Sequence, residues 1–145
     1  MTIDVSTFTF HDVSLWPIVR QSAGSVRSGY AAQWEREMDA MLAISMPFVV
    51  IMDGDQAAED HEDRKVRGIW LKKNKTALAA ICRAVIGIEA NPTKRVAIQV
   101  QMALATKAFG TRMELVASQE EALRLAKRIL EGSETTTSPM GRQIP

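Results

Sequence analysis

The stretch FVVIMDGDQAAEDHEDRK, Phe48 to Lys65, runs five apolar residues into Asp53-Gly-Asp55 and then alternates acids with one histidine. Two aspartates leaving the carboxyl end of a buried strand suit metal-assisted phosphoryl transfer. One carboxylate attacks phosphorus and the second moves the proton, both beside Mg²⁺. The neighbouring residues do not complete that set. A phosphohydrolase of this kind needs a glycine-threonine turn after the second aspartate, where this chain has Gln56-Ala57, and more chain to supply a lysine and a later acidic pair. A phospho-accepting Asp53 would need an acidic pair after the first strand and a lysine after the last, but those places read His11-Asp12 and VASQEE. A calcium loop fails at Ala57, a ligand position, and at Ala58, which should be glycine. A Mg-dependent hydrolase using Asp53 and Asp55 is therefore the enzymatic alternative, and no cofactor is implied.

Helix physics accounts for the acids more simply. Asp55 is placed to cap a helix, and Glu59, Asp60, Glu62 and Asp63 fall in its first turns, where the positive end of the dipole favours each exposed carboxylate by about 0.3 to 1 kcal/mol. His61 has no second histidine or cysteine at ligand spacing and reads as a surface residue. Arg64, Lys65, Lys72 and Lys75 fall opposite Trp70 and Ile81, as a solvated face does, and no aromatics interleave them to stack bases, which disfavours nucleic acid. Two histidines, His11 and His61, with no Gly-x-Ser-x-Gly elbow, leave nucleophilic catalysis without a base. GSVRSG lacks the lysine of a phosphate loop and reads as a linker.

The elements that would position these residues follow from periodicity. TFTF alternates as a strand, HDVS turns, and LWPIVRQ starts a second strand at Leu15, giving an antiparallel hairpin with Pro17 at an edge or irregular start. Tyr30, Trp34, Met38, Met41 and Leu42 mark the apolar stripe of a first helix, with Glu35, Arg36 and Asp39 outside, ending before Pro47. FVVIM is a central strand. A long second helix, Ala57 to Cys82, buries Val66, Ile69, Trp70, Ala77, Leu78 and Ile81. AVIGIEA is the next strand. Asn91 and Pro92 open a third helix that buries Val96, Val100, Ala103, Leu104 and Lys107 and ends at Gly110. RMELVA is the last strand, and Ser118 with Glu121 forms a capping box ahead of Ala122, Leu125, Ala126 and Ile129. The expectation is an α/β domain over 1–132: a single mixed sheet of about five strands, an N-terminal hairpin and four helices. A mobile tail is expected over 133–145.

The 145 residues suffice for one buried core, and 46% apolar against 24% charged is globular composition. A formal charge of +1 offers no global field to nucleic acid or anionic lipid. Cys82 is the one cysteine, expected buried, which excludes an internal disulfide. No basic leader and no apolar run of membrane length are present, so a cytoplasmic protein without a membrane partner is expected.

Taken together, the opening hairpin, PFVVIMD, the long helix with WLKKN, CRAVIGIEANPTKR and AFGTRMELVASQEEAL resemble STAS-like domains. That group includes sporulation anti-sigma-factor antagonists and their uncharacterised bacterial relatives, and the likeness spans about Phe8 to Leu130. It implies a regulatory or scaffolding module that binds proteins rather than catalysing a reaction. Signalling members carry a phosphorylatable serine in the turn after the central strand. Here Asp53 to Asp63 holds no serine or threonine, so binding without a phosphoserine switch is expected. The expected partner surface comprises Asp53, Asp55, Glu59, Arg64, Lys72 and Lys75, and the partner is another protein or a second copy in a homodimer. A small apolar ligand is the other alternative, suggested by Met38, Met41, Met46, Met52, Met102 and Met113.

Overall fold

The computed structural model describes residues 3–54 and 59–132. Five strands, β1 (Asp12–Leu15), β2 (Ile18–Ser22), β3 (Phe48–Asp53), β4 (Cys82–Ile88) and β5 (Met113–Val116), form one sheet in the order β1-β2-β3-β4-β5. The β1–β2 pair is antiparallel and the other three pairs are parallel. The helices are α1 (Ala31–Ile44), α2 (His61–Lys73), α3 (Lys75–Ile81), α4 (Pro92–Phe109) and α5 (Gln119–Glu131). The mixed α/β sheet with an opening hairpin is as expected. Among the described residues the α-helices number five because Asn74 breaks the long second helix. Its amide and side-chain nitrogen both donate to the Trp70 carbonyl, at 2.9 Å, and its backbone leaves helical geometry at ψ 16°.

Alternation along the strands divides the core in two. Phe48, Val50 and Cys82 face Trp34, Met38 and Met41 of α1, with Trp70 and Leu78. Ile18, Val49, Ile51, Ala84 and Ile86 face Ala122, Leu125, Ala126 and Ile129 of α5. Gly87 shares its side of β4 with Val85, which packs on the first core, and an added Cβ there would come within 2.9 Å of Leu115 Cδ1 and 3.7 Å of Met102 Cε. The helices that join parallel strands therefore all lie on the first face, as repeated right-handed crossovers moving one strand at a time require.

The hairpin lies further along the chain than alternation indicates: TFTF is not a strand, and HDVS contributes to β1. Glu37 of α1 is the reason. Its buried carboxylate accepts the amides of Thr9 (2.8 Å), Phe10 (2.9 Å) and His11 (2.8 Å), which removes the donors that a ladder would use. His11 Nδ1 donates to the same group at 2.9 Å, and so does Gln33 Nε2 at 2.6 Å. Burial opposes ionisation of Glu37, yet the His11, Phe10 and Gln33 donors override it and hold the carboxyl at about 2. Pro17, following a cis peptide, sits in the turn just before β2.

Asn91 Oδ1 accepts from the amides of Thr93 and Lys94, with Pro92 at the first helical position, as the sequence implies. Ser118 Oγ likewise accepts from the Glu121 amide at 3.2 Å, but Glu121 takes the Ala117 amide in place of that of Ser118. The expected stripe of the second helix is only partly buried. Trp70 and Leu78 are inside, whereas Ile69 is 61% exposed and Ala77 is also exposed. The proposed tail, 133–145, lies outside the described residues.

Candidate functional site

Of the acids leading into α2, Asp60 and Glu62 are exposed at its start as expected, whereas Glu59 and Asp63 turn inward. Among the described residues the N-cap of α2 is Asp60; Asp55, expected in that role, lies outside them. The side chain of Glu59 is 5% exposed. It accepts from Arg67 Nε (2.5 Å) and Nη2 (2.9 Å) and from the Tyr30 hydroxyl, with Arg64 Nε at 3.6 Å. The Arg67 hydrogen bonds outweigh the cost of burial and hold Glu59 at about 2, while burial, helped by Glu59, pushes the Tyr30 hydroxyl upward. The Arg67 guanidinium also lies 5.8 Å from the Trp34 ring centre. Asp63 is buried too. Its oxygens accept from Gly29 N (2.8 Å) and Ala31 N (3.2 Å), capping α1 from a neighbouring helix where the local cap residue, Tyr30, contributes no side-chain bond. Trp70 Nε1 completes the α1–α2 seam by donating to Asp39 at 2.8 Å.

These contacts correct the expected partner surface. Glu59 is an internal tie and has no free face. Arg64, Lys72 and Lys75 are exposed, and Asp53 is exposed at the end of β3. Arg64 and Lys72 stand about 12 Å apart along the axis of α2, near its two ends, and Lys75 begins α3. His61 is exposed, as expected.

Asp53 instead lines an open crevice of about 210 Å³ at the carboxyl ends of β2 and β3, with Arg20, Ser22, Ser25 and Gln119 around it and Phe10 and Ile51 as its apolar wall. Gly54 follows Asp53 in the chain. Its φ of +96° is a left-handed conformation, and an added Cβ would come within 2.8 Å of Ala23 Cβ. Arg20 Nη2 donates to Asp12 at 2.8 Å. Hydrogen bonds from Ser14, with Arg20 nearby, hold the Asp12 carboxyl below its usual range. The lining thus holds one cation, Arg20, and two carboxylates, Asp12 and Asp53, beside the apolar Phe10 and Ile51. No methionine lines it: Met38 and Met41 are core residues and Met46 is exposed. Among the described residues no group of three His, Cys, Asp or Glu side chains is placed to hold a metal ion.

The surface that departs most from ordinary solvated protein is the outside of α4. Val96, Val100 and Leu104 are 62%, 63% and 67% exposed. They recur every fourth residue and form one ridge, with Ala103 and Lys107 also exposed beside it. The sequence marks this stripe correctly but turns it inward. The helix instead lays Ile98, Met102 and Ala105, all half-buried, toward the sheet, and packs against β5. Residues 96 to 106 carry no charge, so α4 is apolar on two sides.

No family model, curated protein or solved structure matches this chain. Among the described residues no helix is long and apolar enough to cross a membrane.

Proposed function

We propose that this domain is a non-catalytic regulatory or scaffolding module that binds a protein partner through the outer face of α4. The observation that carries this is the ridge of Val96, Val100 and Leu104, each more than three-fifths exposed on a helix without charge between Arg95 and Lys107. Contiguous apolar surface rimmed by polar residues is unusual on a solitary domain and marks a contact face. Depletion of charge at its centre is the composition of interface cores. The resemblance to STAS-like domains supports a binding role, and the turn after β3 offers no hydroxyl for phosphorylation among Asp53 to Asp63. A cytoplasmic setting suits Cys82, a buried free thiol that burial pushes up to about 12.

Affinity capture with the intact chain as bait tests this, comparing wild type with Val100→Glu and with Lys72→Glu on α2. The expected outcome is a specific protein, counting untagged copies of this chain, that Val100→Glu loses and Lys72→Glu keeps. A partner set unchanged by Val100→Glu would overturn the assignment of this face.

A further inference from the structure

The formal charge of +1 conceals a steep segregation along the chain. From Asp4 to Asp63 there are eleven Asp and Glu against three Lys and Arg, and from Arg64 to Arg112 there are eleven Lys and Arg against a single acid, Glu89. Because the strands lie in chain order, this segregation along the sequence becomes segregation across the sheet, and the basic segment forms most of α2 and all of α3, β4 and α4. Packing sharpens the imbalance. On the acidic side Glu37, Glu59 and Asp63 are turned inward onto amides, Arg67 and Tyr30. Lys72, Lys73, Lys75, Arg83, Lys94 and Lys107 are exposed, and none of the six has an acidic partner among the described residues.

The α4 ridge stands inside this basic region. Lys107 belongs to the ridge: seven residues after Val100, it points within about 20° of the same direction and lies about one turn beyond Leu104. The same end of α4 meets α3, since a Cβ added at the C-cap, Gly110, would lie 3.8 Å from Ala79 Cβ. Lys75 comes one turn before Ala79 and Lys107 just under one turn before Gly110, about 6 Å and 4.5 Å back from that contact on adjoining helices. The apolar ridge therefore ends beside two cations without counter-charges.

Resting on that assignment of α4, we infer that the partner is an acidic protein segment, apolar along Val96, Val100 and Leu104 and carrying carboxylates beside Lys107 and Lys75. Opposite potentials across a contact speed encounter and exclude partners of like charge. A membrane fits this face less well, because the chain from Pro92 to Ala108 has no Trp, Tyr or Phe to seat it at a lipid interface. The same lack leaves nucleic-acid bases nothing to stack on.

Two synthetic helical peptides of equal length test the charge. One carries a leucine stripe flanked by glutamates, the other the same stripe flanked by lysines, and binding to the intact chain is followed by fluorescence anisotropy. The expected result is saturable binding of the Leu/Glu peptide that weakens several-fold with added salt, with Val100→Glu, and with Lys75→Glu and Lys107→Glu combined. Lys127→Glu, at an exposed site on α5, should leave it unchanged. The salt series uses the unaltered chain, so its outcome is independent of any effect of substitution on folding. Equal binding of the Leu/Lys peptide, or binding of neither, would overturn the acidic partner. Sedimentation with vesicles of phosphatidylcholine and phosphatidylserine in equal parts, in place of peptide binding, would assign the face to a membrane and overturn the protein partner. If capture returned a protein that Val100→Glu loses but the combined lysine variant keeps, the binding role of α4 would stand and the acidic partner would fall.

Discussion

Two carboxylates, Glu37 and the Glu59 expected on a partner surface, are internal electrostatic anchors. Glu37 gathers three backbone amides and the His11 imidazole, and Glu59 gathers Arg67 and Tyr30. Removing the charge strands those donors, so Glu37→Gln should lower the unfolding free energy by about 3 kcal/mol in urea denaturation at pH 7. Both groups stand at about 2 in the folded protein against 4.5 for the ordinary carboxyl. The unfolded chain therefore takes up protons first as the pH falls. The contribution of each group is complete above pH 4.5 and is lost between there and pH 2. An acid titration of stability should fall through that window in wild type and less steeply in Glu37→Gln. An identical profile would mean Glu37 is not held as described. None of this was legible in sequence: Glu37 meets amides 26 to 28 residues away, and Asp63 caps an amide 34 residues earlier, separations that no local pattern reports.

At the scale of elements, what is closed locally was legible and what depends on a neighbour was not. Asn91-Pro92 and Ser118 with Glu121 start α4 and α5 because cap and capped amide lie within three residues. The start of α1 is different, since its cap comes from α2. Asp63→Ala should cost about 1 to 2 kcal/mol, and Asp63→Asn should recover most of it because an amide oxygen can still accept; equal losses would assign the role to charge alone. The apolar stripe of α4 was legible too, but periodicity finds a stripe without saying where it points, and this helix has a second apolar row in Ile98, Met102 and Ala105. The helices α4 and α5 should thus respond differently to charge. Val100→Glu should shift monomer stability by no more than about 0.5 kcal/mol, whereas Ala126→Glu, wholly buried under the sheet, should abolish folding by circular dichroism.

For the molecule as a whole, the sheet order β1 to β5 with α1 to α4 on one face and α5 on the other encloses both cores without using the outside of α4. Fold class was legible because strand and helix periods alternate along the chain. The outward placement of the α4 stripe was not, because an apolar period does not tell a face turned to the core from one turned to solvent. The most direct test is affinity capture with wild type and Val100→Glu as baits at equal concentration. Wild type should return a specific protein that Val100→Glu loses, while the two melting curves stay the same. A partner set that Val100→Glu leaves unchanged would contradict the role given to α4.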